Sequence, residues 1–250
     1  MYIIPSVWMV CPSARSAAES STVFEQWKMR GYKLAIWRDA GDRANLEADF
    51  LVRADYPGYA QANNFLIRCV LNMDAGCDWV VVGSDDTLPD QRNPEEIAIE
   101  CSHHFAWEKS QRSGQFENPC TFGICQPTGD RFAGGHIDRI CGSPWIGREF
   151  ARRMYGGNGP YWEGYSHIFA DEEVQAVAQK YGVLWQRPDL IHLHNHWTRD
   201  SLAVNAQADY RRPRPKFLDE VYSPRNWNEV DAIFKERRRN NFPGHEPIAA

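Results

Sequence analysis

Two carboxylates stand side by side at Asp85-Asp86, directly after the apolar run Trp79-Val80-Val81-Val82 and the pair Gly83-Ser84. Adjacent carboxylates at the mouth of a buried strand repel one another and lose hydration, so they are economical only where a cation answers them. A divalent metal ion is the simplest such cation. The competing reading is a solvated turn, with either aspartate capping the next element and Pro89 ending it. A second acidic cluster, Asp171-Glu172-Glu173, opens a segment with Val174, Val177 and Ala178 at helical spacing. Acidic residues there are favourable simply because they face the positive end of a helix dipole. One of them could also take a proton as a general base. The third cluster is His192-x-His194-x-His196, whose rings share one face if the segment is a strand and could then ligate a metal as neutral imidazoles.

The elements that must position these residues read as α/β. Residues 2–10 form a β-rich run that breaks at Pro12-Ser13-Ala14-Arg15. Ser16 and Glu19 have capping-box spacing, and Val23, Phe24 and Trp27 recur at helical intervals up to Gly31. A second strand, Tyr32 to Trp37, ends in Arg38-Asp39, and Gly58-Tyr59-Ala60-Gln61-Ala62-Asn63-Asn64 leads into another helix before the strand at Trp79. Strand, helix and strand in alternation predict a parallel sheet, with ligands at the carboxyl ends of its strands. Three strand ends, at residues 12–15, 38–42 and 83–86, should therefore converge on one crevice. Further on, Pro94 starts a predicted helix, Phe122 to Cys125 a predicted strand, and Glu149 another helix.

Composition limits the function classes. The chain has 250 residues, 43% of them hydrophobic and 24% charged, which is ordinary globular material. No apolar stretch is long enough to span a bilayer, and the first residues lack the pattern of a signal peptide. Seven cysteines, scattered and without a C-x-x-C pair, predict buried thiols in a reducing compartment, hence a cytoplasmic location.

On these segments, over roughly residues 2–197, the chain resembles the GT-A fold glycosyltransferases, in particular their family-2-like group. The resemblance rests on the Pro-Ser-x-Arg turn, the strand ending in Asp39, the Gly-Tyr-Ala-Gln-Ala-Asn loop and the strand ending Ser-Asp-Asp. It implies a Rossmann-like, mostly parallel sheet flanked by helices, with residues 1–198 as the nucleotide-sugar-binding and catalytic domain and 199–250 as a basic C-terminal extension. It implies a nucleotide-sugar donor bound by Pro12, Ser13, Arg15, Asp39, Asn63, Ser84 and Asp85, with Asp39 on the nucleoside. It implies Mn²⁺ or Mg²⁺ against the donor diphosphate. Where the family usually reads Asp-x-Asp-Asp, this chain reads Gly83-Ser84-Asp85-Asp86, so the first carboxylate is missing. Asp85 is then the first metal-ligand candidate and Asp86 the second, with His194, then His192, adding an imidazole. Asp171, with Glu172 next, falls at the catalytic base of inverting enzymes, and Trp145, Trp162 and Glu163 at the acceptor side. The expected activity is transfer of a sugar to an acceptor hydroxyl, on a glycan or other small compound, or less readily on a modified base in DNA.

Two readings compete. The histidine pattern also resembles the histidine-triad nucleotide hydrolases, although Asn195 breaks that motif, and a noncatalytic metal- or sugar-binding module would use the same carboxylates and tryptophans. Beyond Arg199 the chain turns basic, with Arg211-Arg212-Pro213-Arg214 and Arg237-Arg238-Arg239, and carries a charge near +2 over residues 199–250. Such runs form solvated faces or meet phosphate-bearing partners, nucleic acid among them. Trp227, Val230, Ile233 and Phe234 predict a short helix there.

Overall fold

The structure, a computed structural model, describes residues 5–114, 119–130, 140–195 and 218–249. The predicted β-α-β opening is present as β1 (Ser6–Pro12), α1 (Ala17–Met29) and β2 (Lys33–Arg38). The capping box closes as its spacing implies: the Ser16 side chain accepts from the Glu19 backbone while the Glu19 side chain reaches back to the Ser16 backbone. An edge strand, β3 (Phe50–Arg53), follows, then α2 (Tyr59–Met73) and β4 (Cys77–Val82). The second half supplies β5 (Thr87–Leu88), α3 (Pro94–Ser113), β6 (Ile124–Pro127), β7 (Trp145–Gly147), α4 (Arg148–Arg153), α5 (Ala170–Lys180), β8 (Leu184–Arg187) and β9 (Leu193–His194). The chain ends in α6 (Leu218–Val221) and α7 (Pro224–Arg239).

The main sheet has seven strands in the order β3-β2-β1-β4-β7-β6-β8. Strands β3, β2, β1 and β4 run parallel to one another, β7 runs against both β4 and β6, and β6 and β8 are parallel. This is the α/β, mostly parallel architecture expected from the sequence. From β1 the chain crosses to β2 on one side and later to β4 on the other, so the sheet reverses direction at β1, where ligand crevices form in such folds. The core is continuous: Met9 and Val10 of β1, Ile36 of β2 and Val80 to Val82 of β4 are fully buried. Trp79 and Trp145 fill the space between strands and helices, and loss of a ring such as Trp79 would cost about 3–5 kcal/mol.

The C-terminal segment, expected to be an extension, packs against the main body over its described part. Phe234 stacks on Phe169 with ring centroids 4.8 Å apart, and Trp227 packs on the same ring at 5.3 Å. The run Arg237-Arg238-Arg239 is divided, with Arg237 buried and its two neighbours exposed. The stretch 210–216 lies outside the described residues, and so does His196. All seven cysteines are free thiols, six of them buried, and no described helix is long and apolar enough to cross a membrane.

Candidate active site

The carboxyl ends of β1, β2 and β4 open onto one cavity of about 580 Å³. Of the residues expected at a site, Pro12, Ser13, Arg15, Asp39, Ser84, Asp85, Asp86, Asp171, Glu172 and His194 all line it. Three parallel strands deliver the first seven of these, and Asp171 and Glu172 come from the first turn of α5.

On the β4 side the carboxylates are tightly held. Ser13 Oγ donates to Asp85 Oδ2 at 2.8 Å, and the Arg15 backbone N–H donates to the same oxygen at 3.2 Å. Arg15 Nε donates to Asp85 Oδ1 at 3.1 Å, and its Nη2 to Asp86 Oδ2 at 3.1 Å. Arg38, at the end of β2, braces this turn by donating through Nη1 to Ser13 Oγ at 2.8 Å and to the Arg15 carbonyl at 2.6 Å. Asp86 Oδ1 accepts from Ser84 Oγ at 2.5 Å and lies 3.1 Å from His194 Nε2. His194 is fixed there by the pairing of Thr87 in β5 with His194 in β9, and by its own N–H, which donates to Asp130 Oδ2 at 2.7 Å.

These environments separate the two aspartates. Burial, then the charge of Asp86, pushes the Asp85 carboxyl up, against the pull of Arg15 and Ser13. Burial also opposes ionisation of Asp86, but His194, Ser84 and Arg15 outweigh it and hold that carboxyl well below the usual range. Asp86 is therefore the firmly anionic member of the pair, and both Asp85 oxygens already serve Ser13 and Arg15.

Among the described residues no group of three His, Cys, Asp or Glu side chains is gathered for a metal. The pair Asp86 and His194 nevertheless fits one. Asp86 Oδ1 and His194 Nε2 are in direct hydrogen-bond contact at 3.1 Å, and this carboxylate and imidazole could turn to a divalent ion once Nε2 gives up its proton. A small divalent ion held by one or two protein ligands completes its shell with water and phosphate oxygens. The missing first carboxylate also has a reason: a Cβ on Gly83 would lie 2.8 Å from Met9 Sδ and 3.7 Å from the Trp27 ring, aimed into the core.

Across the cavity, burial and then the neighbouring Asp171 push the Glu172 carboxyl up to about 9. Glu172 therefore carries a proton at neutral pH. Glu173, next in the same turn, points away from the cavity into the core, where it accepts from Tyr155 Oη at 2.7 Å and Tyr165 Oη at 2.8 Å.

A scan against protein-family models finds no match, and no curated relative matches by sequence. Among solved structures, the chain is similar to a glycosyltransferase involved in the glycosylation of the major capsid of PBCV-1, with a TM-score of 0.32 and 10% identity. That similarity covers 58% of this chain and 61% of the other, so the chain spans less than two thirds of that protein's length. It is also similar to a mutant of Drosophila β-1,4-galactosyltransferase 7, whose structure is a complex with manganese, UDP-Gal and xylobiose. There the TM-score is 0.39 at 14% identity, over 84% of this chain and 81% of the other.

Five expected site residues do not line the cavity. His192 is buried with both ring nitrogens engaged: Nδ1 meets Ser143 Oγ at 2.7 Å, and Trp145 Nε1 donates to Nε2 at 3.3 Å. Trp145 can only donate, so Nε2 is the bare nitrogen and Nδ1 carries the proton. Burial pushes this imidazole down to about 4, and it has no lone pair left for a metal. The expectation that His192 and His194 share a face fails because β9 is only two residues long and His192 precedes it. Trp145 is fully enclosed in β7 and cannot meet an acceptor. Trp162 lies under the Arg237 guanidinium, 3.7 Å from its ring centroid, and Glu163 pairs with Arg68. Asn63 is buried in α2, where its Nδ2 donates to the Tyr59 carbonyl at 3.0 Å.

In their place the cavity has an aromatic wall that the motifs did not signal. It comprises Tyr56, Tyr59, His167, Phe169, Tyr222 and Trp227. Tyr222 and Trp227 belong to the tail, whose periodicity announced a helix but not the surface it covers. His167 stood inside the segment leading to Asp171, without spacing to mark it.

Proposed function

We propose that the protein is a glycosyltransferase that moves a sugar from a nucleotide-sugar donor to an acceptor hydroxyl. One observation carries this reading. A tethered carboxylate with an imidazole, Asp86 and His194, lines the same cavity as a second carboxyl pair, Asp171 and Glu172. A binding module needs one such cluster, whereas group transfer needs two, one for the leaving group and one for the attacking one.

The donor diphosphate would lie over the ends of β1 and β4, beside Arg15, Ser13 and Ser84, with Asp39 at the nucleoside. Mn²⁺ or Mg²⁺ held by Asp86 and His194, with Asp85 behind them, would neutralise charge on the departing diphosphate. Asp171 takes the proton from the acceptor hydroxyl. Glu172, its carboxyl pushed up by burial and by Asp171, holds its proton at neutral pH and cannot compete as a base. A base facing the anomeric carbon from the side opposite the leaving group gives inversion. The acceptor is a glycan or another small hydroxyl compound.

The test is thermal stabilisation by a panel of nucleoside diphosphates and nucleotide sugars with and without Mn²⁺, since selective binding to the folded state raises its melting temperature. A Mn²⁺-dependent shift with one nucleoside diphosphate, lost in Asp86→Ala, supports the reading. Shifts with nucleoside monophosphates that ignore Asp86 would replace it with a nucleotide-hydrolase reading.

A further inference from the structure

His167 borders the cavity together with Asp171 and Glu172, yet none of the steps above uses it. Its ring is set between two tyrosines, edge-on to Tyr59 with centroids 5.6 Å apart and to Tyr222 with centroids 6.0 Å apart. Its orientation is thus fixed before any ligand arrives. Nδ1 is enclosed and has no hydrogen-bond partner among the described residues, whereas Nε2 is not among the enclosed unpartnered atoms. Burial lowers the affinity of this ring for a second proton, against the pull of Asp171, and keeps it neutral near pH 7.

A neutral imidazole carries one proton, and the surroundings decide which nitrogen holds it. An orphaned N–H in a dry setting is rarer and costlier than an orphaned acceptor. The proton therefore belongs on Nε2, the nitrogen that is not sealed off, and Nδ1 keeps its lone pair.

We propose that His167 is an acceptor-binding residue, its Nε2–H donating a hydrogen bond to an oxygen of the acceptor held at Asp171. This rests on the glycosyltransferase reading of the same cavity. An acceptor hydroxyl has one proton and two lone pairs. With its proton directed at Asp171, a donor on a second side fixes the oxygen or its neighbour in space and leaves one lone pair aimed at the anomeric carbon. Water lacks the rest of an acceptor's oxygens to fill such a site, so His167 selects acceptors without affecting the donor. The class of compound this suits is a polyhydroxylated ring, which offers an oxygen to His167 and an apolar face to Phe169 and Trp227.

Two measurements test the proposal. Imidazole ¹⁵N NMR at neutral pH, without any ligand, should show His167 as the Nε2–H tautomer and His192 as the Nδ1–H tautomer. The Nδ1–H form at His167 would overturn the proposal. In steady-state assays with p-nitrophenyl glycosides as acceptor probes, His167→Phe should raise the acceptor KM about tenfold, the effect of one lost hydrogen bond. The donor KM and the slow hydrolysis of donor by water should stay within twofold. His167→Gln, which keeps an N–H near the Nε2 position, should recover most of the loss. An unchanged acceptor KM, or an equal effect on donor and acceptor, would overturn the assignment. A wild-type protein that binds and hydrolyses no nucleotide sugar would instead sink the glycosyltransferase reading, and the tautomer would still decide whether His167 presents a donor to the cavity.

Discussion

Arg237 grips Glu173 at two points, donating from Nε to Oε2 at 2.9 Å and from Nη2 to Oε1 at 2.6 Å. This joins the C-terminal helix α7 to the first turn of α5, immediately beside Asp171 and Glu172. The pair is buried on both sides, and Glu173 receives the hydroxyls of Tyr155 and Tyr165 as well. A charge left alone in such a place is expensive. Arg237→Met should therefore lower stability by about 3–5 kcal/mol, read as a drop in the midpoint of urea unfolding. Because α7 carries Trp227 to the cavity, turnover should fall in the same variant even at temperatures where it remains folded. An unfolding midpoint equal to wild type would show that the pair contributes nothing to the join.

Asp171→Asn should abolish most turnover, by about 10²–10⁴-fold for a lost general base, while leaving nucleoside-diphosphate stabilisation intact. Asp86→Asn should do the reverse in order, removing the Mn²⁺-dependent stabilisation first. Isothermal titration of the donor nucleotide against both variants distinguishes them, and equal loss of binding in both would refute the division of labour across the cavity.

Glu172 gives a pH signature. Its carboxyl is pushed up to about 9 in the folded protein, by burial and then by Asp171, whereas an unfolded glutamate titrates near 4.3. Between those values the native state holds a proton that the unfolded chain has released, so stability falls as pH rises through this window. Glu172→Gln removes the titration and should flatten that slope, most visibly in denaturant midpoints at pH 8 against pH 5. A slope identical to wild type would count against a protonated Glu172.

Restoring the absent acidic residue should not help the metal. In Gly83→Asp the new Cβ would stand 2.8 Å from Met9 Sδ, and the carboxylate would point into the core. The expected result is a loss exceeding the ~1–3 kcal/mol of overpacking alone, because the buried carboxylate has no partner there, with no gain in Mn²⁺ affinity. A higher affinity, measured by metal titration followed through nucleotide stabilisation, would show that a side chain at residue 83 reaches the cavity.

The local elements were legible in the sequence because their causes are local. The Ser16 and Glu19 cap, the apolar runs of β1 and β4, and the periodicity of Trp227, Val230 and Phe234 each arise from neighbours a few residues away. The convergence of Ser13, Arg15, Asp39, Asp85 and Asp86 was legible too, since parallel strands must place their carboxyl ends together. Tertiary packing decided the rest. Glu173 looks like Asp171 and Glu172 in the sequence, but the hydroxyls of Tyr155 and Tyr165 and the guanidinium of Arg237, 64 positions later, make it a core residue. His192 and His194 look alike, but the ring partners Ser143 and Trp145 claim one while Asp86 faces the other. A charge or an imidazole takes its role from what surrounds it within a few ångströms, and for these residues the surroundings come from distant parts of the chain that spacing alone does not bring together.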